Sequence, residues 1–322
     1  MGRVTSNRRM MTVRLRDGQL YHSEKPDTVA VEEPLDIRLN GQKLSLTMRT
    51  PGHDVELIHG FLHAEGYIQH REDILEARYC DGAVVEDESG FARNTYNVMD
   101  FTTAPGVMTR GGHGPVGHAD TTAAGGGAGS PMGADGRTIL PVVQKTFITS
   151  SACGVCGSTS IDDVVHRTRY SITDDFTVKP ADLLRAQAQL SDGQKVFQRT
   201  GGVHAAALIT PDGTAEVLRE DVGRHNAVDK VIGWSLLNSQ MPIRNRVLLV
   251  SSRASFEIVQ KAAMAGISFV ACVSAPSSLA IDTAERFGMT LAGFVRAGRD
   301  EDNGRFNVYT GAQRIDLEGT AS

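Results

Sequence analysis

The last third of the chain alternates apolar runs with segments of helical periodicity, and no other sequence feature constrains the fold as strongly. The strands are predicted at 246–250, 267–273 and 289–295, and the helices at 255–265 and 278–287. Gly266 and Gly288 follow the two helical segments, where a left-handed glycine commonly ends a helix. Strands alternating with helices of roughly ten residues predict β-α-β crossovers and a parallel sheet. This part of the chain is therefore predicted to be α/β.

The start of the chain is predicted to form mainly β-structure. The alternating runs are 29–31, 35–39 and 44–46. Asn40-Gly41 lies between the last two runs, and this dipeptide between alternating runs is a strong hairpin signal. A helical pattern begins after Pro51-Gly52 and is expected to end near Gly66.

The middle of the chain carries further predicted elements around a glycine-rich stretch. They are a strand at 146–149, an amphipathic helix at 181–200, a hairpin with strands at 203–209 and 215–218, and a helix at 224–237. Residues 104–136 are dominated by glycine, alanine and small polar residues, which cannot bury enough apolar surface to offset the entropy of ordering. We therefore expect a disordered insertion there.

The predicted organisation has four parts. They are an N-terminal α+β region at 1–103, the insertion at 104–136, a connecting segment at 137–175 and an α/β cofactor-binding domain at 176–322.

The net charge of −5 and the aromatic content of 6% argue against nucleic acid as a partner. Because the chain has neither an apolar signal segment nor an apolar run of membrane-spanning length, we expect a cytoplasmic protein without membrane contact.

Cys153 and Cys156 stand three residues apart, and a glycine follows each of them. Such a loop can hold a reactive thiolate, bind a metal or cycle through a disulfide. The other two cysteines, Cys80 and Cys272, are far apart in sequence, and we interpret both as structural. Four cysteines are too few for a disulfide scaffold in a chain of this length.

Three loops are predicted to meet where the parallel strands end. They are 251–255, which includes Ser252 and Arg253, 274–278, and the arginine-containing stretch 294–299. In open α/β sheets, ligands bind at the carboxyl ends of the strands, and helix N-termini favour anions. The loops therefore predict a phosphate or pyrophosphate site. The alternative is that the serines only cap helices and the arginines are solvated.

The run from Glu220 to Lys230 is the densest polar segment of the chain. Within it, His225 and Lys230 are candidates for stabilising a thiolate or for contacting an anion. The alternative is a turn followed by an amphipathic helix with a solvated face.

These residues together resemble the formate dehydrogenase accessory sulfurtransferases, the FdhD family. The resemblance is carried by Cys-Gly-Val-Cys-Gly at 153–157, Glu-Asp-Val-Gly-Arg-His-Asn-Ala-Val-Asp-Lys at 220–230 and Ser-Ser-Arg-Ala-Ser-Phe-Glu at 251–257. Further matching segments are 50–57, 60–66 and 274–281. The match omits the 104–136 insertion and the two tails.

The resemblance implies a fold and a function. The expected fold is a cytidine-deaminase-like three-layer sandwich with a mixed, partly parallel sheet and a smaller β-rich N-terminal domain, in a homodimer. A cysteine desulfurase is expected to load sulfur onto Cys153 as a persulfide, which then sulfurates the molybdenum bis(molybdopterin guanine dinucleotide) cofactor for formate dehydrogenase. Cys156 is expected to assist release. No permanently bound metal is predicted.

The family's cofactor-binding stretch corresponds to six consecutive residues of the third loop, Phe294, Val295, Arg296, Ala297, Gly298 and Arg299. From the residue analysis we add Ser252, Arg253 and His225 to this candidate site.

Two readings compete with sulfur transfer. The first is a noncatalytic chaperone that only holds the cofactor. The second is a zinc deaminase, because His63-Ala-Glu65 and the two cysteines supply part of the zinc-deaminase motif.

Overall fold

The computed structural model describes residues 3–80, 85–86, 92–93, 97–105, 107, 147–149, 168, 170–298 and 303–318. Cys153, Cys156 and Arg299 lie outside the described residues, as does nearly all of the predicted insertion at 104–136. Among the described residues, no α-helix combines the length and the apolar character that crossing a membrane requires.

The described part of the chain contains fifteen strands and six α-helices. The strands are β1 (Thr5–Arg16), β2 (Gln19–Ala30), β3 (Glu33–Leu39), β4 (Gln42–Arg49), β5 (Ile74–Tyr79), β6 (Val85–Glu86), β7 (Ala92–Arg93), β8 (Val98–Thr103), β9 (Phe147–Thr149), β10 (His204–Ile209), β11 (Ala215–Asp221), β12 (Val247–Val250), β13 (Phe269–Cys272), β14 (Thr290–Ala297) and β15 (Gly304–Thr310). The helices are α1 (Asp54–Ala64), α2 (Pro180–Gly193), α3 (Lys195–Thr200), α4 (Arg224–Leu237), α5 (Phe256–Met264) and α6 (Ser278–Arg286).

The N-terminal region is a five-stranded sheet covered by α1. Its strand order is β5-β8-β3-β4-β9, with both parallel and antiparallel pairs. Side chains along β3 point alternately to the two faces of the sheet, and those of Leu35, Ile37 and Leu39 are buried against apolar residues of α1. Asn40 and Gly41 both have positive φ, the backbone that a two-residue type I′ hairpin requires, so the predicted hairpin is confirmed.

The C-terminal region is a six-stranded mixed sheet between two layers of helices. Its strand order is β11-β10-β12-β13-β14-β15, and only the pairs β12–β13 and β13–β14 are parallel. Helices α4, α5 and α6 bury apolar residues on one face of the sheet, and α2 does so on the other. The predicted three-layer α/β architecture with a β-rich N-terminal region is confirmed.

Helix α4 connects the two regions and is buried on nearly all sides. It packs against α1 on one side and against β10 and β11 on the other. Two glycines allow this close approach, because a Cβ at Gly60 would lie 1.9 Å from the Asp229 carbonyl oxygen, and one at Gly233 would lie 1.8 Å from that of Glu56. The alternative of an amphipathic helix with a solvated face is therefore wrong for this segment.

Two predicted boundaries differ from the structure. The helix predicted at 181–200 is divided at Gln194 into α2 and α3. The Glu220 carboxylate accepts hydrogen bonds from Val196 N and Phe197 N, both at 2.9 Å. Because these bonds satisfy free N–H groups of a first helical turn, a new helix starts there. The stretch predicted as a loop from residue 294 belongs to β14 as far as Ala297, since β14 continues through an irregular pairing with β15.

Candidate functional site

The three loops predicted at the carboxyl ends of the parallel strands lie side by side. Ala254 forms a β-bridge with Pro276, and Ser277 N donates to the Ala254 carbonyl oxygen at 3.0 Å. Phe294 N donates to the Ser274 carbonyl oxygen at 3.1 Å. Helices α4, α5 and α6 all begin at this edge of the sheet, which we call the carboxyl edge. Their free N–H groups give the carboxyl edge a positive potential.

The third loop reaches this edge through a strained backbone. Phe294 has φ 54, a conformation that costs a residue with a side chain roughly 1–2 kcal/mol. Gly293 lies so close to the second loop that a Cβ there would be 2.9 Å from Pro276 Cδ. Gly298 is equally constrained, since its Cβ would lie 2.4 Å from the Asn303 carbonyl oxygen. Backbone strain of this kind is common at functional sites.

The residues predicted for the third loop differ in their availability to a ligand. Val295 is fully buried in the core, so its side chain cannot contact a ligand there. Ala297 N donates to Gln187 Oε1 at 2.7 Å and is therefore already paired. Phe294 is half-buried, whereas Arg296 and Gly298 are exposed. Arg299 lies outside the described residues.

Three arginines of the carboxyl edge have no partner among the described residues. Arg224, Arg253 and Arg296 form neither a side-chain hydrogen bond nor an ion pair within that part of the chain. The Nε atom of Arg224 is buried without an acceptor, which is costly for a charged group. Ser252, by contrast, is buried, and its hydroxyl donates to the Arg253 carbonyl oxygen at 3.0 Å.

Arg224 was not singled out from the sequence, although its position carries a signal. It is the first residue of α4, where the positive end of the helix dipole disfavours a cation, and no acidic residue occupies the first turn. A cation at such a position is favourable only when an anion is close by. Glu257, whose pKa the charge of Arg224 lowers, is one such anion, and the buried Nε of Arg224 still has no acceptor.

His225 follows Arg224 and is kept neutral by its surroundings. Burial, together with the nearby charges of Lys261 and Arg224, lowers the pKa of His225 to about 4. Its Nε2 lies 3.3 Å from Ser255 Oγ and 3.8 Å from a carboxylate oxygen of Glu257. His225 therefore joins the first turns of α4 and α5 as an uncharged hydrogen-bonding group at neutral pH.

His204 and Glu257 share this environment. Burial and the charge of Arg224 lower the pKa of His204, which was also overlooked in the sequence. Burial acts to raise the pKa of Glu257, but hydrogen bonds from Ser255 and its own backbone, with the charge of Arg224, lower it overall. The carboxylate is thus the stable form of Glu257, beside two imidazoles that resist protonation.

Most of the polar run at 220–230 has a structural role instead. Lys230 is fully buried, and its Nζ lies 2.6 Å from Asp221 Oδ2 and 3.0 Å from the Thr50 carbonyl oxygen. Asp221 also accepts hydrogen bonds from Thr50 N, Gly223 N and Asn226 Nδ2. Lys230 is therefore unavailable to an external anion, contrary to its candidate role. The pair instead fastens the β4–α1 loop to the carboxyl edge.

The strand that leads toward the thiol loop ends near α4. Thr149, the last residue of β9, pairs with Thr47, whose Oγ1 donates to Asn226 Oδ1 at 3.4 Å. Cys153 and Cys156 themselves lie outside the described residues. Of the described cysteines, Cys272 is fully buried, and burial raises the pKa of its thiol to about 11, in agreement with a structural role.

The described residues give no support to a zinc site. His63 is stacked on Tyr170, with ring centroids 6.4 Å apart, and Tyr170 packs beside Gly266, which precedes β13. His63 therefore lies near the amino ends of the parallel strands, away from the carboxyl edge. Within the described ranges, no group of three or more His, Cys, Asp and Glu side chains could hold a metal ion.

Comparisons with known proteins give consistent matches. The FdhD/NarQ family matches residues 30–112 and 136–316. Relatives named sulfur carrier protein FdhD include one from Corynebacterium efficiens, 45% identical over 97% of this chain and 99% of its own. Similar proteins from Nocardia farcinica and Mycobacterium tuberculosis are each 46% identical over 98% of this chain, covering 96% and 100% of their own lengths.

A solved structure supports the fold. It is described as that of a formate dehydrogenase accessory protein from Desulfotalea psychrophila, and it aligns with a TM-score of 0.63. The alignment covers 96% of this chain and 99% of the other, at 24% identity. The N-terminal hairpin β1–β2 and residues 113–135 fall almost entirely outside the family match.

Proposed function

The chain belongs to the FdhD/NarQ family, and from this premise we propose that it carries sulfur as a persulfide on Cys153. The donor is a cysteine desulfurase, and the acceptor is the molybdenum bis(molybdopterin guanine dinucleotide) cofactor destined for formate dehydrogenase. The relatives' common name, sulfur carrier protein, supports a role in sulfur transfer. The donor, the acceptor and the persulfide residue are our proposal.

The observation that carries the proposal is the set of unpaired arginines at the carboxyl edge. Arg224, Arg253 and Arg296 are cations without partners among the described residues, and three helix N-termini accompany them. Guanidinium groups and helix N-termini are the groups that bind phosphates most effectively in proteins. A cofactor with two pyrophosphate groups fits an edge built in this way. The half-buried ring of Phe294 adds an apolar surface on which a guanine could stack.

The chain connection keeps the thiol loop within reach of this site. Cys153 follows Thr149 by four positions, and an extended segment of that length spans at most about 14 Å. Thr149 lies beside Thr47, which contacts Asn226 in the first turn of α4. We therefore propose that Cys153 delivers sulfur at the carboxyl edge. The positive potential there would favour the thiolate, which is the reactive form.

The proposed reaction consists of two thiol exchanges. The Cys153 thiolate attacks the outer sulfur of the donor persulfide, and the donor cysteine leaves as a thiolate. The Cys156 thiolate then attacks Sγ of Cys153, which forms a disulfide and releases the outer sulfur as hydrosulfide. Hydrosulfide and one proton exchange with an oxo ligand of molybdenum, which departs as water. A dithiol reductant restores the two cysteines.

The protein's own groups assist this sequence without being consumed. Arg224, Arg253 and Arg296 hold the anionic ends of the cofactor. His225, neutral at pH 7, is able to accept a hydrogen bond from a proton-bearing group or to donate one through its other nitrogen. Glu257 and Ser255 orient the His225 ring.

Mass spectrometry of the intact protein tests the persulfide. The native chain is incubated with a cysteine desulfurase and cysteine, beside the variants Cys153→Ala, Cys156→Ala and Cys80→Ala. We expect a reducible gain of one sulfur in Cys156→Ala, in which no thiol resolves the persulfide, and no gain in Cys153→Ala. The native and Cys80→Ala proteins should carry the extra sulfur or, once Cys156 has released it, a disulfide between Cys153 and Cys156. Absence of the gain in Cys156→Ala with an active donor would refute sulfur transfer.

Ligand binding tests the carboxyl edge as the cofactor site, which sulfur transfer and the noncatalytic chaperone both require. GDP is the probe, because it carries the guanine and the pyrophosphate of the cofactor. We expect Arg224→Gln, Arg253→Gln and Arg296→Gln each to weaken GDP binding about tenfold, which corresponds to about 1.4 kcal/mol. Arg246→Gln is the control, because Arg246 pairs with Glu216 away from this edge.

Cys153→Ala is the decisive variant in this comparison. It should bind GDP like the native protein but fail to restore formate dehydrogenase activity in cells that lack the native chain. A Cys153→Ala protein that supports full activity would favour the chaperone. Unchanged GDP affinity in all three arginine variants would remove the carboxyl edge as the binding site.

A further inference from the structure

Helices α4 and α5 pack side by side and are linked by two sets of polar side chains. In the outer set, at the carboxyl edge, His225 Nε2 lies 3.3 Å from Ser255 Oγ and 3.8 Å from a Glu257 carboxylate oxygen. The inner set is an ion pair, in which Lys261 Nζ lies 2.8 Å and 3.0 Å from the two carboxylate oxygens of Asp229. The proposed reaction uses the outer set and leaves the inner pair without a role.

The inner pair lies one helical turn beneath the outer set. Asp229 follows His225 by four positions on α4, and Lys261 follows Glu257 by four positions on α5. Residues with this spacing lie on the same face of a helix. The inner side chains are buried, with 4% of Asp229 and 10% of Lys261 exposed. The backbone of Asp229 also touches α1, since a Cβ at Gly60 would lie 1.9 Å from its carbonyl oxygen. The inner pair is therefore fixed where three helices meet.

Stability alone does not explain the inner pair. Burial raises the pKa of Asp229, although the charge and the hydrogen bonds of Lys261 act to lower it. Charges are costly in such a place, and a buried ion pair can often be replaced by apolar residues of similar volume without loss of stability. A charged pair directly beneath a residue of the candidate site therefore points to a role in that site.

The charge of Lys261 acts on the ring of His225. The charged or titratable groups that influence this ring are Lys261 and Glu257 from α5, Arg224 from α4 and His204 from β10. Burial is the main cause of the low pKa of His225, and the positive charge of Lys261 is the next. Arg224 has no side-chain partner among the described residues, whereas Asp229 holds Lys261 in place. Lys261 is thus the fixed cation beneath the ring.

We propose that Asp229 and Lys261 are positioning residues for sulfur transfer, which hold the ring of His225 beside Ser255 and Glu257 as an uncharged hydrogen-bonding group. The inner pair fixes the spacing of α4 and α5, and its ammonium group opposes a further positive charge on the ring. Their part in the reaction rests on the proposed function, whereas the state of the ring can be measured without sulfur or cofactor.

Nuclear magnetic resonance titration of the histidine rings between pH 8 and pH 5 tests the proposal on the full chain. The signal of His225 is assigned by its loss in His225→Gln. We expect the native ring to stay uncharged over this range, because its pKa is about 4.

Two double variants remove both inner charges. Asp229→Asn/Lys261→Met keeps the shape of the pair, and Asp229→Asn/Lys261→Gln supplies two amides that can bond to each other. In both variants the proton affinity of His225 should rise at least about tenfold, which brings its titration into the measured range.

Two controls separate the effect of the inner pair from general effects of charge removal. Glu216→Gln/Arg246→Met also removes one negative and one positive charge, from a pair away from the carboxyl edge, and should leave the titration of His225 unchanged. Lys261→Arg keeps a cation beside Asp229 and should keep the ring uncharged down to pH 5. Urea unfolding of each variant at pH 7 and pH 5 shows that it is folded over the range of the titration.

An uncharged His225 ring down to pH 5 in the folded double variants would overturn the proposal. A native ring that titrates like an exposed histidine would also overturn it. Persulfide loading of Cys153, measured in Cys156→Ala, distinguishes the two levels of the proposal. Absence of loading would refute sulfur transfer, whereas an unchanged titration in the double variants would refute only the positioning role of Asp229 and Lys261.

Discussion

His225 illustrates how neighbouring charges set the chemistry of a single residue. Its ring is largely buried between the first turns of α4 and α5, near the cations Lys261 and Arg224. A proton on this ring would add a third positive charge to a buried cluster. Burial, and after it the charges of Lys261 and Arg224, keep the imidazole neutral, so that it can act as an uncharged hydrogen-bonding group.

Acidification should destabilise the protein through His225. The pKa of His225 is about 4 in the folded protein and ordinarily 6.5, so the unfolded chain binds the proton more tightly. The folded state therefore loses stability relative to the unfolded chain as the pH falls from 6.5 toward 4. From pH 7 to pH 5 we expect a loss of about 2 kcal/mol in the free energy of unfolding from this residue. Urea denaturation at both pH values measures it.

The variant His225→Gln should show a smaller loss over the same pH interval, because glutamine does not titrate. His22→Gln, which changes an exposed histidine of β2, is the control and should show the native pH dependence. Identical pH dependence in the native protein and His225→Gln would show that His225 is not kept neutral by the fold.

At the scale of elements, the crossing of α1 and α4 decides how the two sheets are joined. Glycines at positions 60 and 233 let the two helix backbones touch, since each lies against a carbonyl of the other helix. Glycine in a helix interior costs about 1 kcal/mol relative to alanine, and the contact between the helices offsets this cost. Helix α4 consequently tolerates no side chain at the crossing.

Gly233→Ala should destabilise the protein by about 3 kcal/mol despite the better helix propensity of alanine, because its Cβ would overlap the Glu56 carbonyl and force the helices apart. Gly193→Ala is the matched control, since its Cβ would meet only the flexible end of Leu218. Thermal and urea unfolding of both variants provide the comparison. Equal effects at the two positions would show that the crossing is not tightly packed.

At the scale of the whole molecule, a buried ion pair holds the N-terminal loop against the C-terminal sheet. Lys230 and Asp221 are 1% and 0% exposed in their side chains, and Lys230 also donates to the carbonyls of Thr50 and Glu220. The β4–α1 loop, β11 and α4 are thus joined through one ammonium group. This arrangement positions Arg224 and His225 relative to the rest of the carboxyl edge.

Lys230→Met should lower the free energy of unfolding by about 3–5 kcal/mol, because it leaves Asp221 buried without its counter-ion. Adding Asp221→Asn to this variant should recover part of the loss. Arg246→Met breaks the half-exposed pair with Glu216 and should cost less than about 1 kcal/mol. Urea denaturation measures all three proteins. A Lys230→Met variant as stable as Arg246→Met would contradict a joining role for the pair.

Local patterns in the sequence predicted much of the fold. Helix α4 occupies the predicted span, and Gly266 and Gly288 have the positive φ expected of helix-ending glycines. The sequence also predicted that three loops meet at one edge of the C-terminal sheet. That prediction needed only the order of strands and helices, because parallel strands all end at the same edge. The roles of the thiols and the identity of the ligand came from the resemblance and stay predictions.

The sequence by itself determined the α/β class, the N-terminal hairpin at Asn40-Gly41 and the family, because periodicity, turn chemistry and motifs are properties of neighbouring residues. Only the tertiary structure decided that Val295 faces the core, that Lys230 is paired and buried, and that Arg224 is left without an acceptor among the described residues. Burial and charge pairing depend on groups distant in sequence. The close contact of α1 with α4, which lie about 170 positions apart, is decided by packing alone.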